Sequence, residues 1–129
     1  MSTEENKAIV RRVLELFDQG DLDAAVAGHP GLGETRQRQP LVRAAFPDLR
    51  TTIEHQIAEG DTVATRATLS GTHLGAFMGV APTGKQMTWS MLLMNQIVDG
   101  RIVLHHANAD WISVLIQLGV IRPPGQARD

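Results

Sequence analysis

Asp99-Gly100 sits between two long runs rich in apolar residues, 86–98 and 101–109. An Asp-Gly pair flanked this way is the strongest short hairpin signal, because a two-residue type I′ turn needs positive φ at both central positions. The pair therefore commits this half of the chain to an antiparallel sheet. The β character extends upstream. Residues 50–58 lean to strand, Glu59-Gly60-Asp61 makes a turn, and 62–72 is rich in Thr and Val. A loop over 73–84, with three glycines and Pro82, leads into the hairpin.

Before Phe46 the pattern is helical. Ser2-x-x-Glu5 is a capping box. Val10, Val13, Leu14 and Phe17 then recur at helical spacing and form one apolar stripe. Gly20 stops this helix, and Asp21 caps a shorter one through Leu22, Ala25 and Val26. His29-Pro30-Gly31-Leu32-Gly33 breaks it, and a third helix is expected within 34–45. Pro40 is expected in that helix's first turn, where a missing N–H does no harm. A last helix, 111–118, ends at Gly119. Helices first and an antiparallel sheet afterwards read as α+β. The 129 residues make one domain, with a core over about 5–120 and a loose tail over 121–129.

Composition removes several function classes. The formal charge is -2, no Lys/Arg run exists, and only two Trp and three Phe are available for stacking. Nucleic acid and anionic membrane are thus not expected partners. Without cysteine there is no disulfide, thiolate nucleophile or thiolate metal site. The first residues, Met1-Ser2-Thr3-Glu4-Glu5, lack an apolar signal core, and no apolar run approaches the roughly 20 residues that span a bilayer. The expectation is a cytoplasmic domain.

The candidate chemistry lies in Leu104-His105-His106-Ala107-Asn108-Ala109-Asp110, polar cargo in a stretch that should be buried. Such groups are costly to bury unless each finds a partner. A strict register from the turn pairs Val98 with Arg101, Gln96 with Val103, Met94 with His105 and Trp89 with Asp110. Opposed residues share a face. One face then carries Leu92, Met94, Gln96, His105 and Ala107, and the other carries Trp89, Leu93, Leu104, His106, Asn108 and Asp110. Both faces are largely apolar. One can line a pocket, and the other is expected to be covered by a second copy of the chain, giving a homodimer through the sheet.

Three stretches resemble a known family. Gly71-Thr72-His73-Leu74-Gly75-Ala76-Phe77-Met78-Gly79-Val80-Ala81-Pro82-Thr83-Gly84 is similar to its GTHxGxFxGxxPTG motif, and Ala45-Phe46-Pro47-Asp48-Leu49 to its AFPDL element. Asp99-Gly100-Arg101-Ile102-Val103, then His105, Asp110 and Gln117-Leu118-Gly119, resemble its DGxI…H…D…QLG ending. The family is the SnoaL-like polyketide cyclases, within the nuclear-transport-factor-two-like superfamily.

The resemblance implies N-terminal helices packed on a strongly curved antiparallel sheet, a cone-shaped, cystatin-like α+β barrel. It also implies ring closure of a polyketide ester by an intramolecular aldol reaction without metal or organic cofactor. By motif, the aspartate that moves the proton falls on Asp110. A carboxylate in an apolar pocket has a raised pKa, which suits this task. His105 would orient or polarise. Gln96 falls on a cavity-facing polar position, with Met94 two residues earlier on the same face. Asn108, His106, Arg66 and Trp89 complete the expected contacts to a small apolar carbonyl ligand. Strict register separates Gln96 from Asp110, and a bulge between His105 and Asp110 would reunite them. Relative to the family, the segment between the second helix and Phe46 is several residues short, which predicts a thinner roof over the pocket.

Each residue also has a plainer reading. Asp110 precedes the last helix and can serve as its N-cap. His105 and His106 point to opposite faces of a regular strand and make a poor metal pair, without a third ligand at a convincing spacing. His73 reads as a structural residue bonding backbone. Arg66, mid-strand, binds a substrate carboxylate or balances an acidic neighbour. Trp89 reads as core. Two further functions stay open: a non-catalytic ligand-binding or dimerisation module, and an epoxide hydrolase with an aspartate-activated water.

Overall fold

The computed structural model describes residues 2–125. In chain order these form α1 (Thr3–Asp18), α2 (Leu22–Val26), a 3₁₀ turn (Pro30–Leu32), α3 (Gly33–Ala45), β1 (Arg50–Glu59), β2 (Thr62–Thr72), β3 (Gln86–Val98), β4 (Arg101–Ala109) and α4 (Trp111–Gln117). The strands make one antiparallel sheet in the order β1-β2-β3-β4. The fold is the expected α+β arrangement, with β1 and β4 as open edges.

Local chemistry accounts for most boundaries. The capping box at α1 is complete: Glu5 N–H donates to Ser2 Oγ at 3.0 Å, and Ser2 N–H donates to Glu5 Oε1 at 3.2 Å. Asp21 caps α2 by accepting from Ala24 N–H at 3.1 Å. Asp99 and Gly100 both have positive φ, 50° and 75°, as a type I′ turn requires. Pro40 departs from expectation and lies well inside α3. Its missing N–H leaves the Arg36 carbonyl without its helical donor, and both residues are exposed, so water can fill the role.

The hairpin register corrects the extrapolation from the turn. Val98 pairs with Arg101 and Ile97 with Ile102, as expected, but Gln96 then pairs with Leu104. Val103 is an extra residue, a β-bulge. Beyond it Asn95 faces His105, Met94 faces His106, Leu93 faces Ala107 and Leu92 faces Asn108. Side chains alternate with period two, so one inserted residue exchanges the faces of everything after it. The bulge thus lies upstream of His105, not between His105 and Asp110. The inner face carries Trp89, Met91, Leu93, Asn95 and Ile97 of β3, with Ile102, His105, Ala107 and Ala109 of β4.

The helices cover this inner face. One apolar cluster joins the α1 stripe (Val10, Val13, Leu14, Phe17) to Leu32, Val63, Leu93, Ile97 and Ile102. A second joins Phe46, Leu49, Leu69, Met87 and Trp89 to Val114 of α4 and to Leu118 just after it. Met91 packs against both.

The motifs that carry the family resemblance are largely staples of this second cluster. Asp48 accepts from Thr72 N–H and Thr72 Oγ, both at 2.7 Å, and the Thr72 N–H bond in particular holds its carboxyl below the usual carboxylate range. Leu74 and Gly75 N–H both donate to the Ala45 carbonyl, at 3.0 and 3.1 Å. His73 is buried; its Nδ1 takes Thr83 N–H at 3.1 Å and lies 2.9 Å from Thr83 Oγ1, closing the loop base as its plainer reading anticipated. Gln117 of α4 donates to Thr88 O at 2.8 Å and accepts from Thr88 N–H at 3.3 Å.

A Cβ at Gly75 would overlap the Ala44 carbonyl oxygen, a backbone atom that cannot step aside. Gly75→Ala is therefore expected to destabilise the fold by about 2 kcal/mol or more. Urea unfolding should show a lowered midpoint with an unchanged slope; an unchanged midpoint would mean the loop does not dock on α3 this closely.

Candidate functional site

The two apolar clusters do not merge on the inner face. Between them lies a cavity of about 790 Å³. Leu69, Trp89, Met91 and Leu93 form its floor, and Leu14 and Phe17 of α1 one wall. Val42 and Gln39 of α3 roof it, and Phe77 and Met78 close one end. Phe77 and Val80 exchange two backbone hydrogen bonds at 3.0 and 2.8 Å, making a tight hairpin whose central residues, Met78 and Gly79, have φ of 50° and 79°. A positive φ at a methionine is a strained backbone conformation. Glu34, Arg38 and Leu41 of α3, all exposed, mark the mouth opposite β4.

The lining is mainly apolar, with Gln39, Thr51 and His105 among its polar members, and His105 is anchored by an amide buried behind it. His105 Nδ1 lies 2.6 Å from Oδ1 of Asn95, its cross-strand partner. Oδ1 only accepts, so Nδ1 carries the proton and Nε2 keeps a free lone pair. Asn95 is 2% exposed, and its amide fixes the ring tautomer from within the core. Burial, and secondarily the neighbouring His106, push the His105 pKa below the ordinary imidazole value. The ring is neutral at neutral pH. A neutral imidazole with a directed lone pair in an apolar hollow can take a proton from a carbon acid or return one to an alkoxide.

The other expected site residues divide. Trp89 is buried in the cavity floor, within a cluster of rings that includes Phe46 at 5.0 Å and Trp111 at 6.0 Å. His106 pairs with Met94 on the outer face and reaches the cavity only at its edge. Met94, Gln96, Asn108 and Arg66 do not enter the cavity. Met94 and Asn108 are exposed on the outer face, and Gln96 Nε2 donates to Asp61 Oδ2 at 3.0 Å. Arg66 is exposed between His55 and Leu92 on the same outer face. The regular alternation of β3 and β2 keeps Met94, Gln96 and Arg66 on the outer face, while the Val103 bulge turns Asn108 outward and brings His105 to the inner face beside Asn95.

Asp110 is exposed and caps α4, its Oδ1 accepting from Ser113 N–H at 3.0 Å. It does not line the cavity, although Ala109 and Trp111 on either side do. Among the described residues, no group of three or more His, Asp or Glu side chains is placed to hold a metal ion. Among the described residues, no helix is long and apolar enough to cross a membrane. Asn95 was not singled out in the sequence. The signal was the amide of Asn95 as the one polar member of the alternate row Met87, Trp89, Met91, Leu93 and Ile97, a group that needs a buried partner.

His29 also titrates below the ordinary imidazole value, chiefly through burial and then through the Arg101 charge. Both histidines thus bind fewer protons folded than unfolded, so acid favours the unfolded chain. Their stability contribution is complete above the ordinary value of about 6.5 and is lost as pH falls from there through the lowered folded values. Urea midpoints are expected to fall between about pH 7.5 and pH 5, and the His105→Asn variant should show a shallower dependence. A midpoint rising with acid would contradict both burials.

Comparison with known proteins places this geometry. The family model described as SnoaL-like polyketide cyclase matches residues 23–118. The chain is 31% identical to aklanonic acid methyl ester cyclase AcmA of Streptomyces galilaeus, over 96% of this chain and 97% of that protein. It is 33% identical to nogalonic acid methyl ester cyclase of Streptomyces nogalater, over 70% and 69% respectively. Among solved structures, AclR of Streptomyces galilaeus, for which a hydroxylase role is proposed, superposes with a TM-score of 0.88 at 28% identity, over 95% of this chain and 85% of that one. IdmH of Streptomyces antibioticus, a proposed polyketide cyclase, does so with a TM-score of 0.74 at 32% identity, over 89% and 99%. With the matched model spanning most of the described residues, this chain belongs to the SnoaL-like polyketide cyclase family.

Proposed function

We propose that this chain is a cofactor-independent cyclase that closes a ring in a polyketide-like carbonyl compound by an intramolecular aldol reaction, with His105 as the cavity base. The observation that carries this reading is the neutral, Asn95-anchored imidazole on an apolar wall. Nε2 of His105 takes a proton from the carbon next to a carbonyl. The resulting enolate carbon attacks a second carbonyl in the same molecule, and the new alkoxide regains a proton from the imidazolium. No atom is lost or gained, so product and substrate have equal mass. The apolar walls hold the two reacting carbons together, and this ordering contributes much of the rate. The positive ring is least stable in this cavity, which speeds the return of its proton.

A second reading keeps Asp110 as the proton carrier, as the family motif implies. It is supported by position: Oδ1 is committed to the Ser113 cap, and the residues on either side, Ala109 and Trp111, line the cavity. Epoxide hydrolysis, by contrast, draws no support, because Arg66 is on the outer face.

The test uses aklanonic and nogalonic acid methyl esters, the compounds for which the two relatives are named. Wild-type protein is expected to convert one of them into a product of equal mass with a shifted absorption spectrum. His105→Ala should lower kcat by about 10²- to 10⁴-fold with the fold intact. Asp110→Asn, which still caps α4, should stay within a few-fold of wild type. The reverse pattern would transfer the role to Asp110. Thermal stabilisation by the esters without turnover would leave a binding module.

A homodimer through the outer sheet face is part of the same proposal. Ile57, Leu92, Met94 and Leu104 are exposed there at 59%, 59%, 53% and 47%, more apolar surface than single scattered residues would give. Light scattering should report twice the 14.0 kDa chain mass, and Leu92→Glu should halve it. A wild-type monomer at high concentration would exclude the dimer.

A further inference from the structure

The mechanism above uses His105 but leaves open what turns it inward. Beyond Ile97 a regular β4 would carry the ring to the outer face, opposite Met94. The bulge at Val103 prevents this, and the bulge sits on an edge strand, where no further strand fixes its backbone. An edge bulge in water needs something to hold it against slipping back by one residue.

The turn between α2 and α3 supplies three contacts at this place. Ile102 N–H, immediately before the extra residue, donates to His29 Nδ1 at 3.0 Å. Arg101 Nε donates to the Gly28 carbonyl at 3.0 Å. Gly31 packs so tightly that a Cβ there would come within 2.7 Å of Leu104 N and the Val103 carbonyl carbon. Together they grip residues 101 to 104 on the side away from β3. The turn itself is rigid, because His29 N–H donates to Val26 O at 3.0 Å and Leu32 N–H to His29 O at 3.1 Å. Pro30 adds its fixed φ.

We infer that His29 is a positioning residue: its imidazole holds the bulged backbone of β4 and thereby turns His105 into the cavity. It acts through backbone and touches neither His105 nor the space where substrate would lie. Its role requires an acceptor at Nδ1, hence the Nε2–H tautomer. Substitution should follow that geometry: the Asn side-chain oxygen falls near the place of Nδ1, whereas the Gln oxygen falls near that of Nε2. The inference deepens the reading of His105 as the base and rests on it for functional meaning, but its test does not depend on turnover.

Nuclear magnetic resonance of the whole labelled chain gives the test. In wild type at neutral pH, a through-bond ¹⁵N–¹⁵N coupling between the Ile102 amide and His29 Nδ1 is expected; its absence overturns the inference. In His29→Asn, His105 should keep its lowered ring titration and its ring-proton proximity to Asn95. In His29→Gln, the ring titration should move up toward the ordinary value, and Ile102 amide exchange should quicken by about tenfold or more. A His29→Gln protein with an unaltered His105, or a His29→Asn protein as impaired as His29→Gln, would refute it. Intact His105 signatures with no conversion of either ester would instead count against the proposed reaction.

Discussion

The whole site depends on one surplus residue in an edge strand. Val103 interrupts the ladder between Ile97–Ile102 and Gln96–Leu104. Because alternate side chains point to opposite faces, this insertion decides whether His105 meets Asn95 in a dry interior or Met94 in water. The same step assigns Ala107 and Ala109 to the cavity wall, where small side chains leave room, and sends His106 and Asn108 outward. A second irregularity, at Glu54 in β1, lets Thr51, Ile53, Gln56 and Ala58 all follow the inner face of β2. Bulges raise local twist, so both edges of the sheet bend at these points and the inner face becomes concave.

Concavity alone would not leave a hollow, since cores normally fill to crystal-like density. Here the two apolar clusters are anchored from different directions. Helix α1 brings Val10, Val13 and Leu14 onto one end of the sheet, while Phe46, Val114 and Leu118 fix the other. The second group is tied by polar staples that leave its backbone little freedom to slide: Asp48 on Thr72, Ala45 on Leu74 and Gly75, Gln117 on Thr88. The space between cannot collapse without breaking one of these docks. These motif residues, Asp48, Thr72, Gly75 and Gln117, therefore act away from His105, by keeping the cavity open.

This division explains what was legible in the sequence. Element types and most boundaries were readable because caps, turns and periodicity are local. Ser2-x-x-Glu5, Asp21 and Asp99-Gly100 each fix a conformation through neighbours within a few residues. The hairpin register was readable only as far as Ile97 and Ile102, for the bulge is stabilised by Gly28, His29 and Gly31, some seventy positions away in the chain. Nothing within 101–109 announces it. The faces of His105 and Asn108 were misread through that single non-local contact, whereas Gln96 and Met94 were placed in the cavity by the resemblance, against the alternation of β3 that turns them outward. Pro40 misled for another reason: an exposed helix in water tolerates the loss of one backbone bond.

The charges at the cavity mouth bear on what can enter. Arg38 and Glu34 lie on the rim and pair with each other at 3.4 Å across one helical turn. Both are well exposed, so the pair adds little stability. Its effect is local neutrality: neither sign of charge dominates the entrance. Farther in, the lining is mainly apolar, and its polar members, Gln39, Thr51 and the neutral His105, carry no charge to offset that of an ionised ligand. A carboxylate would have to shed its hydration for little return, whereas an ester keeps the same carbonyl chemistry without that cost. On the proposed reading, the cavity suits neutral carbonyl compounds better than their acids. That preference comes from the lining as a whole and would persist whichever of His105 and Asp110 carries the proton.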